Sequence, residues 1–317
     1  MDCNSSLLGP ALVTGTILGF LYALIALGYT MVYGVLKLIN FAHDAVFAVG
    51  AIGTWFLFGE ILNIDEPKQG LMLVLVILAV LLVGGLVSAG GAALLERTAY
   101  RPLRKRHAAR LSYLISAIGA SFFATYLFQQ DFLPILLGPG PQQFPHIIAA
   151  GPEAFSMNIL GSRVTTPEVL MVVVAVICFI VLDRVINQTS TGRSIRALSE
   201  DPIAAQLMGV NVDRVIVVTF LIGGFFGGIA GAMYGLLFGS IAWNLGFTPG
   251  VKAFTAAVLG GIGNIRGAML GAILLGLIEN LSTVCIDSEW KNVVAFTILP
   301  LVLIFRPTGI MGERIGG

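Results

Sequence analysis

A chain of 317 residues that is 57% hydrophobic and 11% charged, with a mean hydropathy of +0.93, lies far from soluble domains, in which about a quarter of residues are charged. It reads as an integral membrane protein. The formal net charge is +1, and no basic stripe with interleaved aromatics occurs, which excludes a nucleic-acid partner. Cys3, Cys178 and Cys285 form no metal or redox spacing and read as buried or incidental thiols, with no disulfide framework implied. The start M-D-C-N-S-S lacks the basic region of a cleavable signal peptide, so the first apolar stretch is expected to stay in the protein.

About 20 apolar residues cross the hydrocarbon core, and the chain offers such stretches in succession. Pro10 to Leu36 is the first, closed by Lys37. Asn40 to Phe58 follows at once, with Asn40, His43 and Asp44 too polar for a lipid-facing end and a G-A-I-G run suited to close packing. Leu71 to Leu95 leads into Arg97, Arg101, Arg104, Lys105, Arg106 and Arg110, opposed only by Glu96. That loop is cytoplasmic by the positive-inside rule. Leu111 to Phe128 returns, and Gln129 to Pro167 reads as an external loop with local turns. Glu168 to Val185 and Arg214 to Phe238 cross next, the latter with glycines spaced three to four apart along one face.

Gly250 to Ile265 and Gly267 to Asn280 are short and interrupted by glycine, a pattern for half-spans or a broken pair lining a cavity. Asn292 to Phe305 is last. The fold class is therefore all-α, a polytopic bundle forming a single domain over 1–317. Counting the broken pair as two gives nine spans. Eight follow if the second or seventh segment is re-entrant, and ten if the external loop hides a pair. With the N-terminus outside and the C-terminus inside, 14 of the 18 Lys and Arg residues are cytoplasmic, Arg314 among them, and Lys68, Arg163, Lys252 and Lys291 are external. The stretches from Phe41 and from Phe247 share a break followed by a small-residue helix, which suggests a structural repeat.

The polar interval 187–213 carries a pattern of its own. Asp201 caps a short helix with Pro202 in its first turn and Ile203, Ala204, Ala205, Leu207 and Met208 after it, stopped at Gly209. Its small side chains let a partner groove approach closely, and Arg193, Arg196, Glu200 and Asp201 offer rim charges to orient that partner. An ordinary amphipathic connector is the plainer alternative.

Asp44 and Glu279 are the acids inside predicted spans, where a charge costs at least about 2.5 kcal/mol, so each must face protein, water or a partner. His43 with Asp44 fits a proton relay or a helix-entry cap, and Glu279 fits an interfacial anchor. Asn40, His43 and Asp44 in one break and Gly260, Gly261, Gly263 and Asn264 in the other are candidate pathway residues, facing each other across a pore. No catalytic or metal-ligating constellation, no P-loop and no cofactor motif is present in the sequence.

Two stretches carry a resemblance. G-Y-T-M-V-Y-G-V-L-K-L-I-N-F-A-H at Gly28 to His43 and T-G-R-S-I-R-A-L-S-E-D-P-I-A-A-Q-L-M-G at Thr191 to Gly209 are similar to the membrane permease subunit of bacterial ABC importers for branched-chain amino acids, and V-L-G-G-I-G-N-I-R-G-A-M-L-G extends the likeness. The resemblance implies two cytoplasmic ATP-binding subunits, a second permease subunit, an external solute-binding protein and a place in the bacterial inner membrane. It implies docking of the ATPases at the E-A-A, three residues, Gly pattern, held here by Ala204, Ala205 and Gly209 with Ile203 where Glu would stand. The family's H-G-D is His43-Asp44-Ala45 here, which turns the acid about 100° around a helix. Related permeases carry urea or short amides. A self-sufficient ion-coupled transporter using His43 and Asp44 is the reading from another class. A path of glycine, alanine and aliphatic walls with Asp44 as its one fixed charge suits a small zwitterion or neutral solute.

Overall fold

The computed structural model describes residues 5–64, 66–133, 135–148 and 156–312. Cys3 and Arg314 lie outside them. Apolar runs of sufficient length become long helices: α1 (Leu8–Leu36), α2 (His43–Trp55, continued by a wider π turn to Ile61), α3 (Gly70–Leu95) with the short α4 (Arg101–Lys105), and α5 (Arg110–Phe128). Two small antiparallel ladders follow from the intervening loop, β1 (Gln142–Gln143) and the hairpin β2 (Ser156–Ile159) and β3 (Ser162–Thr165). The second half holds α6 (Thr166–Gln188), α7 (Ser190–Glu200), α8 (Pro202–Leu207), α9 (Val212–Phe238), β4 (Ser240–Ile241), α10 (Phe247–Gly260), α11 (Ile265–Ser282) and α12 (Lys291–Phe305). β4 pairs with β1, so the connection after α9 is tied to the loop after α5.

Among the described residues, eight helices are long and apolar enough to cross a membrane. The expected seventh crossing is not among them: α10 has 14 residues, about 21 Å at 1.5 Å per residue, short of a hydrocarbon core of about 30 Å.

The two ends of the bundle differ. One is basic and carries α4, α7, α8 and the start of α9, joined by Arg104 to Asp213 at 2.7 Å and Arg101 to Asp213 at 3.6 Å. The other carries the strands, with Leu160 against Gly9 of α1.

Breaks place two helix starts in the interior. Lys37 ends α1 in the left-handed region, φ 51°, and turns the chain back. By His43, where α2 begins, the imidazole lies on Gly28, eight residues and about 12 Å back from the end of α1. α10 enters from the opposite end after β4. Its first turn meets the first turn of α2, with Gly246 against the Asp44 carbonyl and Gly250 against the Asp44 side chain. The two stretches that share a sequence pattern are thus counterparts in space, each a long helix, a break and an interior start, running in opposite directions.

The glycine face foreseen on α9 has a definite use. Gly228 touches the backbone of Gly84 on α3 and of Gly50 on α2, so three helices meet at one point where no side chain fits. Replacing Gly228 by Leu therefore separates α2, α3 and α9. We expect a loss of at least about 2 kcal/mol, read as a lower midpoint of detergent-driven unfolding, while Gly90→Leu, whose added atom meets nothing within 4 Å, leaves the midpoint unchanged. Equal midpoints for the two variants would show that the close approach is not required.

Candidate functional site: the broken-helix cavity and the docking helix

The start of α2 is built from side chains that satisfy its backbone. Asn40 is 3% exposed; its Oδ1 accepts from Tyr100 Oη at 2.9 Å and from the Ala42 N–H at 3.1 Å. Asn40 thus fixes the break and is not open to a passage. His43 is 1% exposed and lies edge-on to Tyr29, with ring centroids 4.7 Å apart, beneath Gly28 and Gly227. It packs between helices instead of facing a channel.

Asp44 is different. Its carboxylate accepts the Ser121 hydroxyl, 2.8 Å from each oxygen, and the Ala45 N–H at 2.6 Å. It also lines a cavity of about 280 Å³ between α2, α5, α10 and the segment before α10. Asp44, Ser121, Thr125, Asn244 and Thr248 are among its polar residues, with Tyr29 and Tyr126, while Phe41, Phe122, Trp243 and Phe254 are among its aromatic walls. Ser121 and Ala117 are the buried residues of α5, which otherwise turns an apolar face outward.

The second expected break does not join this cavity. Gly260, Gly261 and Gly263 sit at the basic end, where Gly261 packs on Gly309 and Gly312 and Gly260 on Gly267. Asn264 caps α11 by accepting from the Arg266 and Gly267 N–H groups at 3.0 and 3.1 Å, and its Nδ2 donates to the Met311 carbonyl at 2.9 Å. Ten residues of α10, about 15 Å of helix, separate Gly250 beside Asp44 from Gly260. The partner of the first break is the N-terminal turn of α10.

Glu279 is not an interfacial anchor. It is 1% exposed and held by Lys252 Nζ at 2.7 Å, by the Tyr22 hydroxyl at 3.0 Å and, at 3.9 Å, by Lys291 Nζ. Lys252, counted as an external charge from the sequence, is 5% exposed on α10. Its ammonium stands 5.9 Å from the Tyr22 ring centroid. This cluster welds α10 to α11 and α1. Among the described residues no group of His, Cys, Asp or Glu gathers to hold a metal.

At the basic end, Asp201 Oδ1 accepts from the Ile203 and Ala204 N–H groups at 2.8 and 3.0 Å, and Gly209 stops α8 at φ +86°. Pro202 takes the first-turn position, where a missing N–H is harmless. The face presented outward is larger than the small-residue surface expected. Ala205 is buried against the body, Ala204 is exposed beside it, and Ile203, Leu207 and Met208 project at 73, 83 and 85% exposure. Arg193 is exposed, whereas Arg196 reaches back to the Ile186 carbonyl and ties α7 to α6. The interval also holds a second helix, α7, whose buried Gly192, Ile195 and Leu198 recur every three residues.

A family model for the permease component of branched-chain amino acid transport systems matches residues 11–303. The chain belongs to that family. It is 38% identical to LivH of Salmonella typhimurium (strain LT2) and 39% identical to LivH of Escherichia coli (strain K12), each named a high-affinity branched-chain amino acid transport system permease protein, over 94% of both chains in each case. BraD of Pseudomonas aeruginosa, named likewise, is 40% identical over 95% of both chains. No solved structure matches.

In this permease the sequence singled out Asp44 but not its setting. Ser121, Thr125 and Trp243 went unnoticed because one or two hydroxyls in an apolar helix and an aromatic beside a turn are common in membrane proteins. The Ser121 and Thr125 pair, one helical turn apart on a single face, was the available signal. The Lys252–Glu279 pair was likewise visible only as two isolated charges. Breaking it by Lys252→Met leaves a buried carboxylate short of its nearest cation and should cost about 3–5 kcal/mol. The double variant Lys252→Met with Glu279→Gln should regain most of that, measured as thermal stability in detergent. A double variant no more stable than the single one would contradict the pairing.

Proposed function

We propose that the chain is a permease subunit of an ATP-driven importer for branched-chain or related small amino acids, one domain over 1–317 with 187–213 as its coupling element. It pairs with a second permease, similar or identical, and with two cytoplasmic ATPase subunits that hydrolyse ATP on its behalf. An external solute-binding protein delivers the substrate. The observation that carries this reading is α8: a capped, rigid helix holding Ile203, Leu207 and Met208 clear of the body at the basic end. A large apolar tip on a bilayer-flanking helix is unfavourable in water, and a groove on a partner removes it from water.

In this reading that end faces the cytoplasm and the N-terminus lies outside. The charge distribution supports it, as does Cys285, which is disulfide-bonded at the opposite end, between α11 and α12. The thiols are therefore not all incidental, since a disulfide belongs on the oxidising face of a bacterial inner membrane; Cys178 remains a buried free thiol. The substrate class follows from the names of the relatives and suits the cavity, whose one fixed charge sits among apolar walls.

Leu207→Asp tests the coupling role. α8 keeps its cap and its buried Ala205 in this variant, so the permease should still fold and insert. ATP-driven uptake in vesicles holding the assembled importer should fall at least tenfold, and the ATPase subunits should no longer copurify. Unchanged uptake with retained ATPases would overturn the docking assignment.

A further inference from the structure

The cavity at Asp44 has a feature that the other buried acids lack. Glu279 is met by Lys252 at 2.7 Å and Glu96 by Arg104 at 3.0 Å. Asp44 is 5% exposed, yet among the described residues no Lys, Arg or His forms an ion pair with it. Its partners are a hydroxyl and a peptide N–H, both neutral. A carboxylate at this depth is costly without an opposite charge, and the side of it not taken by protein borders the cavity. A cation arriving from outside would supply the charge that the protein does not.

The walls say what kind. Among the described residues no second carboxylate, histidine or cysteine joins Asp44 to make a metal-ligating group. An ammonium group needs only a few acceptors, and Asp44, with the Ser121 hydroxyl oxygen 2.8 Å from it, supplies them. Phe41, Phe122, Val251 and Phe254 offer apolar surface for an aliphatic or aromatic side chain. Opposite charge is catered for as well: Asn244, Thr248 and the first turn of α10 border the same space, and a helix start carries a positive partial charge that favours a carboxylate. The volume of about 280 Å³ lies just under the roughly 300–1,000 Å³ of pockets for drug-sized ligands, a size for a smaller molecule.

We propose that this cavity is a transit site for a zwitterionic amino acid, with Asp44 and Ser121 receiving the α-ammonium, the aromatic walls the side chain and the start of α10 the carboxylate. The site is weak, in the millimolar range, because a site on a transport route must release what it takes. Selectivity by affinity stays with the external binding protein. The inference rests on the reading that this permease carries amino acids.

The test uses the assembled importer in lipid vesicles, with Cys178→Ala and Ile118→Cys in the permease so that an introduced thiol lines the cavity without replacing a group of the proposed site. Its modification by a small cationic methanethiosulfonate should outpace that by an anionic one by at least fivefold. Millimolar L-leucine or L-leucinamide should slow modification severalfold, whereas 4-methylpentanoate, which has the side chain and carboxylate but no ammonium, should not. Asp44→Asn should abolish both the charge preference and the protection, and Ser121→Ala, a milder change, should weaken protection with the charge preference retained. Equal protection by 4-methylpentanoate, or protection that survives Asp44→Asn, would overturn the site. ATP-driven leucine uptake is followed in the same vesicles: uptake without protection rejects the site and leaves the transport reading standing, and absence of both rejects both.

Discussion

Within hydrocarbon a peptide N–H or a carboxylate without a partner costs several kcal/mol, and this permease is organised by how it meets that demand at two interrupted helices. Most of its helices satisfy their own backbone and need only glycine-mediated contact with a neighbour. α2 and α10 instead begin inside the bundle. Asn40, anchored by Tyr100, accepts the Ala42 N–H ahead of α2. The Gly250 N–H on α10 bonds to the Gly246 carbonyl. The two starts abut through Gly246 and Gly250 under Asp44. Irregular backbone at this depth is tolerated only where protein buries it or a cavity receives it, and here it does both.

Charge follows the same rule with one exception. On the basic side Asp213 and Glu96 are neutralised by Arg104, and Asp183 by Arg266 at 3.1 Å. The interior Glu279 has Lys252. These pairs tie α4 to α9, α6 to α11 and α10 to α11, and among the described residues they leave Asp44 as the one interior acid whose counter-charge the protein does not provide. α8 lies at the other end of a continuous packing: it sits on α7 and α9, and α7 on α1, whose Tyr29 packs against His43. A displacement of α8 thus has a contiguous route of packed elements toward the cavity.

The sequence made the membrane class and the long helices legible, because spans of this length and hydropathy have no alternative in water. It also exposed the cap at Asp201, the stop at Gly209 and the two breaks, since each depends on local chemistry. What it could not show was distance. Asn264 and His43 look alike as polar residues in glycine-rich breaks, yet one caps α11 at the basic end and the other is packed under α1. Lys252 and Glu279 are 27 residues apart, and nothing in their flanks announces that they meet. The outward face of α8 was misjudged because composition gives the small residues but not which of them turns inward. Burial of Ala205 beneath exposed Leu207 and Met208 is decided by packing on the body.

In the proposed importer, movement of substrate is driven from α8 by ATP and not by ions handled at His43 and Asp44. The most direct measurement is leucine uptake by vesicles containing the assembled importer and its binding protein, with the ion gradients and the ATP supply controlled separately. Uptake should persist when ionophores collapse the proton and sodium gradients and should cease when internal ATP is removed. Uptake that continues without ATP and collapses with the gradients would contradict the account and identify a self-sufficient ion-coupled transporter.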